Sequence, residues 1–193
     1  MTSTPAVTTA PAPAAYDASP PVLVEVLLLR HDPAEGFAYR RLITGLAGRA
    51  RPDDTARRLA LLAEDDDAHL VHSTSWRATD DGRIVLTYLV HPDPAPNLPG
   101  IPLPDPHAVA RSPKPGHPAP PDLHPRHVAA HAVRHLAFLA RTDPVVATHL
   151  AAHGGTREPP GGAFDSPFDD ALSGALDSLA GSTAGQLRRV QAS

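Results

Sequence analysis

Between residues 22 and 31 the stretch VLVEVLLLRH is apolar at both odd and even positions. A strand with water on one side alternates, so this pattern predicts a central strand covered on both faces. DPAEG follows with turn chemistry, and FAYRRLI (37–43) then places Phe37, Tyr39 and Ile43 on one face of a second strand. In RPDDTARRLALLAEDDD (51–67) the period changes to that of a helix. Ala56, Leu59, Ala60 and Ala63 fall at i, i+3, i+4 and i+7, Asp53 or Asp54 can cap the start, and Arg57 and Arg58 point outward.

HLVHSTSWR and RIVLTYLVH, joined by ATDDG, read as a hairpin. A three-residue loop with Gly82 in the left-handed position pairs Trp76 with Leu86, Thr74 with Tyr88 and His72 with Val90. That register turns Leu70, His72, Thr74 and Trp76 inward and leaves Ser73, Ser75 and Arg77 facing water or another chain. Further on, HPRHVAAHAVRHLAFLAR, with Pro125 in the first turn, and DPVVATHLAAHGG, opened by an Asp-Pro cap, are expected helices. The order ββαββ followed by αα predicts an α+β fold with a small, mainly antiparallel sheet of about four strands packed with helices.

Composition divides the chain. Residues 1–20 are rich in Ala, Thr and Pro and read as a disordered tail. Residues 21–153 form the expected α+β domain. Within it, 12 of the 30 residues from 92 to 121 are proline, which predicts an extended, semi-rigid crossover without strand or helix. Residues 154–193 begin as a Gly/Pro-rich linker. There Leu172, Leu176, Leu179, Leu187 and Val190 outline a weak amphipathic helix interrupted by Gly174, Gly181 and Gly185.

Charge and residue usage narrow the function classes. A net charge of −4 argues against broad nucleic-acid binding. With no cysteine, disulfides, thiolate metal sites and a cysteine nucleophile are excluded. The first 29 residues hold no Lys or Arg, unlike a secretory or transit peptide, and VLVEVLLL is too short for a membrane span, so a cytoplasmic protein is expected.

Three groups of residues carry candidate chemistry. On the hairpin, His72 and Thr74 are polar groups on an apolar face and must find partners. Either they bond each other, Tyr88 or nearby backbone, or His72, Thr74, Trp76 and Tyr88 present polar groups to a ligand in a pocket between sheet and helices. The tetrapeptide HSTS also resembles the His-x-Thr/Ser motif of two-histidine phosphoesterases. That chemistry needs two copies, and the chain holds one.

The second group is histidine. Of twelve histidines, His127, His131 and His135, then His149 and His153, stand four residues apart, a spacing that projects a pair from one helix face. Zinc at His131 and His135 is the candidate metal, with a further ligand from Glu25, Asp122 or His149 needed through tertiary placement. The other reading is half-buried structural histidines, with Phe138 signalling that another element covers the border of the stripe.

The third group is arginine. Arg40, Arg41, Arg57 and Arg58, near a helix N-terminus, suit a phosphate or carboxylate. Asp53, Asp54 and the run EDDD (64–67) supply counter-charge that can leave this face internally balanced.

From residue 22 to 91 the order of strands, charged helix and long hairpin is similar to a Nudix domain. The resemblance implies nucleotide or anion binding. The family's diphosphatase chemistry needs a glutamate-rich helix, and Arg57-Arg58-Leu59 is not followed by a glutamate pair. Three functions follow as expectations. The first is a small-ligand- or protein-binding accessory module. The second is a metal- or histidine-dependent enzyme built on His72 and the 127–135 helix, and the third is a Nudix-like anion-binding domain without catalytic glutamates.

Overall fold

The computed structural model describes residues 21–32, 34–112, 120 and 122–153. The expected tail (1–20) and the linker and helix placed at 154–193 lie outside the described residues. Five strands form one sheet: β1 (Val22–Asp32), β2 (Gly36–Gly45), β3 (Leu70–Ala78), β4 (Ile84–His91) and β5 (Ile101–Leu103). Three helices accompany them: α1 (Pro52–Leu59), α2 (Pro125–Thr142) and α3 (Pro144–His153). The fold is therefore α+β as expected, with five strands in place of four.

The strand order is β3-β4-β1-β2-β5, antiparallel except for the β1–β4 pair. β1 is thus the central strand, and its two parities feed two cores. Leu27 and Leu29 pack with Phe37, Tyr39 and Leu89 beneath α2 and α3. Val24, Val26 and Leu28 pack with Tyr88 and Val90 beneath Ala56 and Ala60 of α1. Two-sided cover of this kind is what the unbroken apolar run requires.

Three local expectations change. The helix read over 51–67 is complete by Leu59, and Leu61 turns into the left-handed region at φ 61° with no glycine to mark the stop. Within the proline-rich segment, Ile101–Leu103 pairs with β2 as an edge strand. Pro102 is tolerated there because an edge leaves one side of the ladder free of donors. Phe138 is 51% exposed, so among the described residues no element covers that border of α2.

Several signals are met. Gly82 has φ 80° in the β3–β4 turn, and Pro125 opens α2. The Asp143 carboxylate accepts the Val145 N–H at 2.8 Å at the start of α3. Among the described residues no helix is long and apolar enough to cross a membrane.

Candidate functional site

Along β3 the register shifts by one residue. Next to the turn, Trp76 pairs with Leu86 as expected, whereas His72 pairs with Leu89 and Ser73 with Tyr88. The shift lies between Ser73 and Ser75, which makes Thr74 the extra residue of a β-bulge. A regular strand would send residues 72 and 77 to opposite faces, since their spacing is odd. With one residue inserted, His72, Ser75 and Arg77 all share the face that carries Leu89, Thr87 and Val85. Two expectations are thereby corrected. Arg77 does not face water, and His72 and Tyr88 do not share a pocket.

Arg77 is drawn inward by Glu25. The carboxylate alternates with Leu27 and Leu29 on the α2 side of the central strand and is fully buried. A buried carboxylate needs partners for both oxygens. Arg41 comes from β2 and donates Nε to Oε1 at 2.5 Å. From the other side of β1, Arg77 crosses β4 and donates Nη2 to Oε1 at 3.0 Å and Nη1 to Oε2 at 2.7 Å. Thr87, paired with Glu25 in the parallel ladder, donates its hydroxyl to Oε2 at 2.8 Å and accepts from Arg77 Nη1 at 3.0 Å. Burial alone pushes the Glu25 pKa up. The bonds and charge of Arg77, with the bonds of Arg41 and Thr87, outweigh it and hold the group below the usual carboxylate value.

Beside Arg77 lies an open cleft of about 140 Å³ between β3 and the start of α2. Ser75, Trp76, Arg77, Val109, His127 and His131 contribute to its lining. Trp76, expected to face inward, is instead 63% exposed: paired with Leu86, it borders the cleft from the free edge of β3 with its side chain toward the α1 side of the sheet. Arg77 spends Nη1 and one Nη2 hydrogen on Glu25 and Thr87. Among the described residues its Nε–H and second Nη2 hydrogen have no partner.

One turn along α2 the histidines meet the strand. His72 and His135 join through Nε2 atoms 3.2 Å apart, with ring planes 20° apart. His131 hydrogen-bonds to the Thr74 backbone, and its ring centroid lies 6.4 Å from that of His135. Burial pushes both helix histidines below the ordinary imidazole value, and for His135 the neighbouring His72 and His131 add to it. The polar partner that His72 requires is thus His135, and the pair ties β3 to α2. Elsewhere, buried His91 accepts α3 through its backbone: His149 Nε2 donates to the His91 carbonyl at 2.8 Å. Burial, reinforced by His149 and His153, pushes the His91 pKa down to about 3.

The remaining candidates scatter. Tyr88 points to the α1 side and donates its hydroxyl to Asp53 at 2.5 Å, so Asp53 bonds a tyrosine and makes no side-chain cap on α1. Thr74 Oγ1 donates only a long bond, 3.3 Å, to the Thr87 carbonyl. The four arginines expected to bind an anion do not converge. Arg40 forks onto buried Asp93, Nε to Oδ2 at 2.9 Å and Nη2 to Oδ1 at 2.5 Å, and Arg41 holds Glu25. Arg57 bonds the Asp66 carbonyl and Arg58 the Thr55 hydroxyl, beside a hollow that Asp54 and Glu64 share.

Among the described residues no group of three or more His, Asp or Glu is placed to hold a metal ion, so zinc at His131 and His135 lacks its third ligand. Of the expected ligand-binding residues only Trp76 reaches the cleft. Ser75, Arg77 and His127 were not singled out as ligand contacts. Compared with known proteins, the chain matches no family model, no curated protein and no solved structure.

Proposed function

We propose that this chain is a non-enzymatic small-ligand-binding module whose seat is the cleft between β3 and α2. One observation carries the reading. Polar side chains from two elements, Ser75 and Arg77 on β3 and His127 and His131 on α2, converge on a hollow that also holds apolar Val109 and Val128. Such a mixture, mostly apolar contact with a few fixed polar groups, suits orienting a small molecule. A histidine-dependent enzyme draws less support, because His72 and His135 engage each other through Nε2.

The sole tryptophan at the rim provides the test. A panel of small metabolites is titrated against the full chain while Trp76 emission and the unfolding midpoint are recorded. A saturable emission change with a matching rise in midpoint is expected for at least one compound. Val109→Phe, which fills the cleft without adding a second tryptophan, should abolish that response in a chain that still unfolds cooperatively. If the filled cleft responds like the native one, the seat lies elsewhere and the proposal is lost.

A further inference from the structure

The chemistry of Arg77 narrows the class of ligand, on the reading that the cleft is the seat. A guanidinium has two edges on which it can fork onto a carboxylate, one through its two Nη atoms and one through Nε and Nη2. Glu25 takes the first edge, bonding Nη1 at 2.7 Å and Nη2 at 3.0 Å, and Thr87 takes the other Nη1 hydrogen at 3.0 Å. The second edge has no partner among the described residues, and Arg77 is among those that line the cleft.

Charge agrees with this geometry. Glu25 stands between Arg41 and Arg77, so the cluster carries one net positive charge. The first turn of α2, which borders the cleft, contains no acidic residue to neutralise it.

We propose that the cleft binds a small monocarboxylate, forked onto the Nε and Nη2 edge of Arg77, with its apolar body against Val109 and Val128. Glu25 is then a positioning residue. By engaging the end of the guanidinium it fixes the plane of the fork and leaves the side edge toward the cleft. Ser75, from the same lining, supplies a hydroxyl for one carboxylate oxygen. A cleft of about 140 Å³ suits an acid of benzoate size.

The test compares benzoate with benzamide, which match in shape and differ in charge. Both are titrated against the full native chain at low salt, with Trp76 emission and the unfolding midpoint as readouts. Benzoate should bind at least about tenfold more tightly than benzamide and weaken as salt is raised. Arg77→Lys keeps a positive charge for Glu25 and loses the fork, so benzoate should weaken about tenfold while benzamide is unchanged. If that variant does not unfold cooperatively, Ser75→Ala replaces it, with a smaller loss expected for benzoate alone.

Equal binding of the two probes overturns the carboxylate assignment and leaves the ligand seat standing. Inorganic phosphate displacing benzoate at equal concentration overturns the choice of carboxylate among oxyanions. No response to either probe overturns the assignment, and the wider seat is then judged on the metabolite panel and Val109→Phe.

Discussion

Glu25, Arg77 and Arg41 allow the central claim about this sheet to be tested by a double-mutant cycle. Glu25 is fully buried and accepts four hydrogen bonds: one from Arg41, two from Arg77 and one from Thr87. The side chains of Arg77 and Arg41 are 16% and 32% exposed. Replacing Glu25 by Leu leaves two cations facing one apolar spot, with Arg77 mostly enclosed. Breaking a buried pair this way costs about 3–5 kcal/mol. Arg77→Met removes two charge-assisted bonds worth about 1.5–3 kcal/mol each and leaves Arg41 and Thr87 on the carboxylate, so about 3 kcal/mol is expected.

The double variant should cost far less than the sum. With both charges gone, Leu and Met fill the space, and Arg41 is exposed enough to turn toward water. A cost of about 1–2 kcal/mol follows, hence a coupling energy of at least about 2 kcal/mol. The assay is urea unfolding of all four chains, followed by far-UV circular dichroism and by the single tryptophan, with m-values compared before free energies. Additivity within about 0.5 kcal/mol would refute the coupling and with it the claim that Arg77 is held by Glu25. The pH dependence has a fixed sign. Because the folded carboxylate lies below its ordinary value of 4.5, its contribution is complete above that value and fades as pH falls through the folded pKa. The penalty for Arg77→Met should therefore be smaller at pH 3 than at pH 7.

Three further outcomes are expected. Burial holds His91, His131, His135 and His149 below the ordinary imidazole value of 6.5, so the unfolded chain binds more protons and stability should fall as pH drops from 6.5 toward 5. His91 alone, with its pKa near 3, should supply up to about 1.4 kcal/mol per pH unit in that window, and His91→Leu should flatten the slope measured by urea titration. Arg40→Ala leaves buried Asp93 with the Ala95 N–H at 2.9 Å and only the distant Arg30 at 3.9 Å as a cation, and should cost about 2–4 kcal/mol in thermal or urea unfolding, with Arg40→Lys failing to restore it because the fork is lost. Deleting Thr74, the extra residue of the bulge, keeps His72, Ser75 and Arg77 on one face and every other β3–β4 pair in place, so the transition should stay cooperative, and Thr74→Ala, which loses one long hydrogen bond, should cost no more than about 1 kcal/mol by the same measurement.

Much of the fold is legible in the chain because its signals are local. The two-parity apolar run of β1, Gly82 in the hairpin, Pro125 at the first turn of α2 and the Asp143 cap each act within a few residues. The site is less legible for two physical reasons. His72, Ser73, Thr74 and Ser75 are all polar, so no binary pattern distinguishes a regular strand from one with an inserted residue. Arg77 reads as a surface residue by type, and only the carboxylate embedded in VLVEVLLL hints that a cation must come from elsewhere in the sheet. That hint names no partner, since Arg77 lies far from Glu25 in sequence. The early end of α1 has no sequence mark either, because Leu61 takes the left-handed conformation usually given to glycine.

The bulge and the short helix together account for the exposed tryptophan and for the cleft. Upstream of Thr74, β3 gives His72 to His135 and is fastened to α2. Downstream, the same face gives Arg77 to Glu25, and Trp76, paired with Leu86, points to the α1 side. α1 has only eight residues, about 12 Å of helix, against nine residues of strand spanning about 30 Å. It cannot cover all of β3, and Trp76 stays in solvent at the free edge of the sheet. On the other face α2 begins beside Arg77, so the groove between its first turns and the strand remains open there. One inserted residue thus does two things to β3: it lets the upstream half act as a fastener and turns the downstream half into one wall of a site.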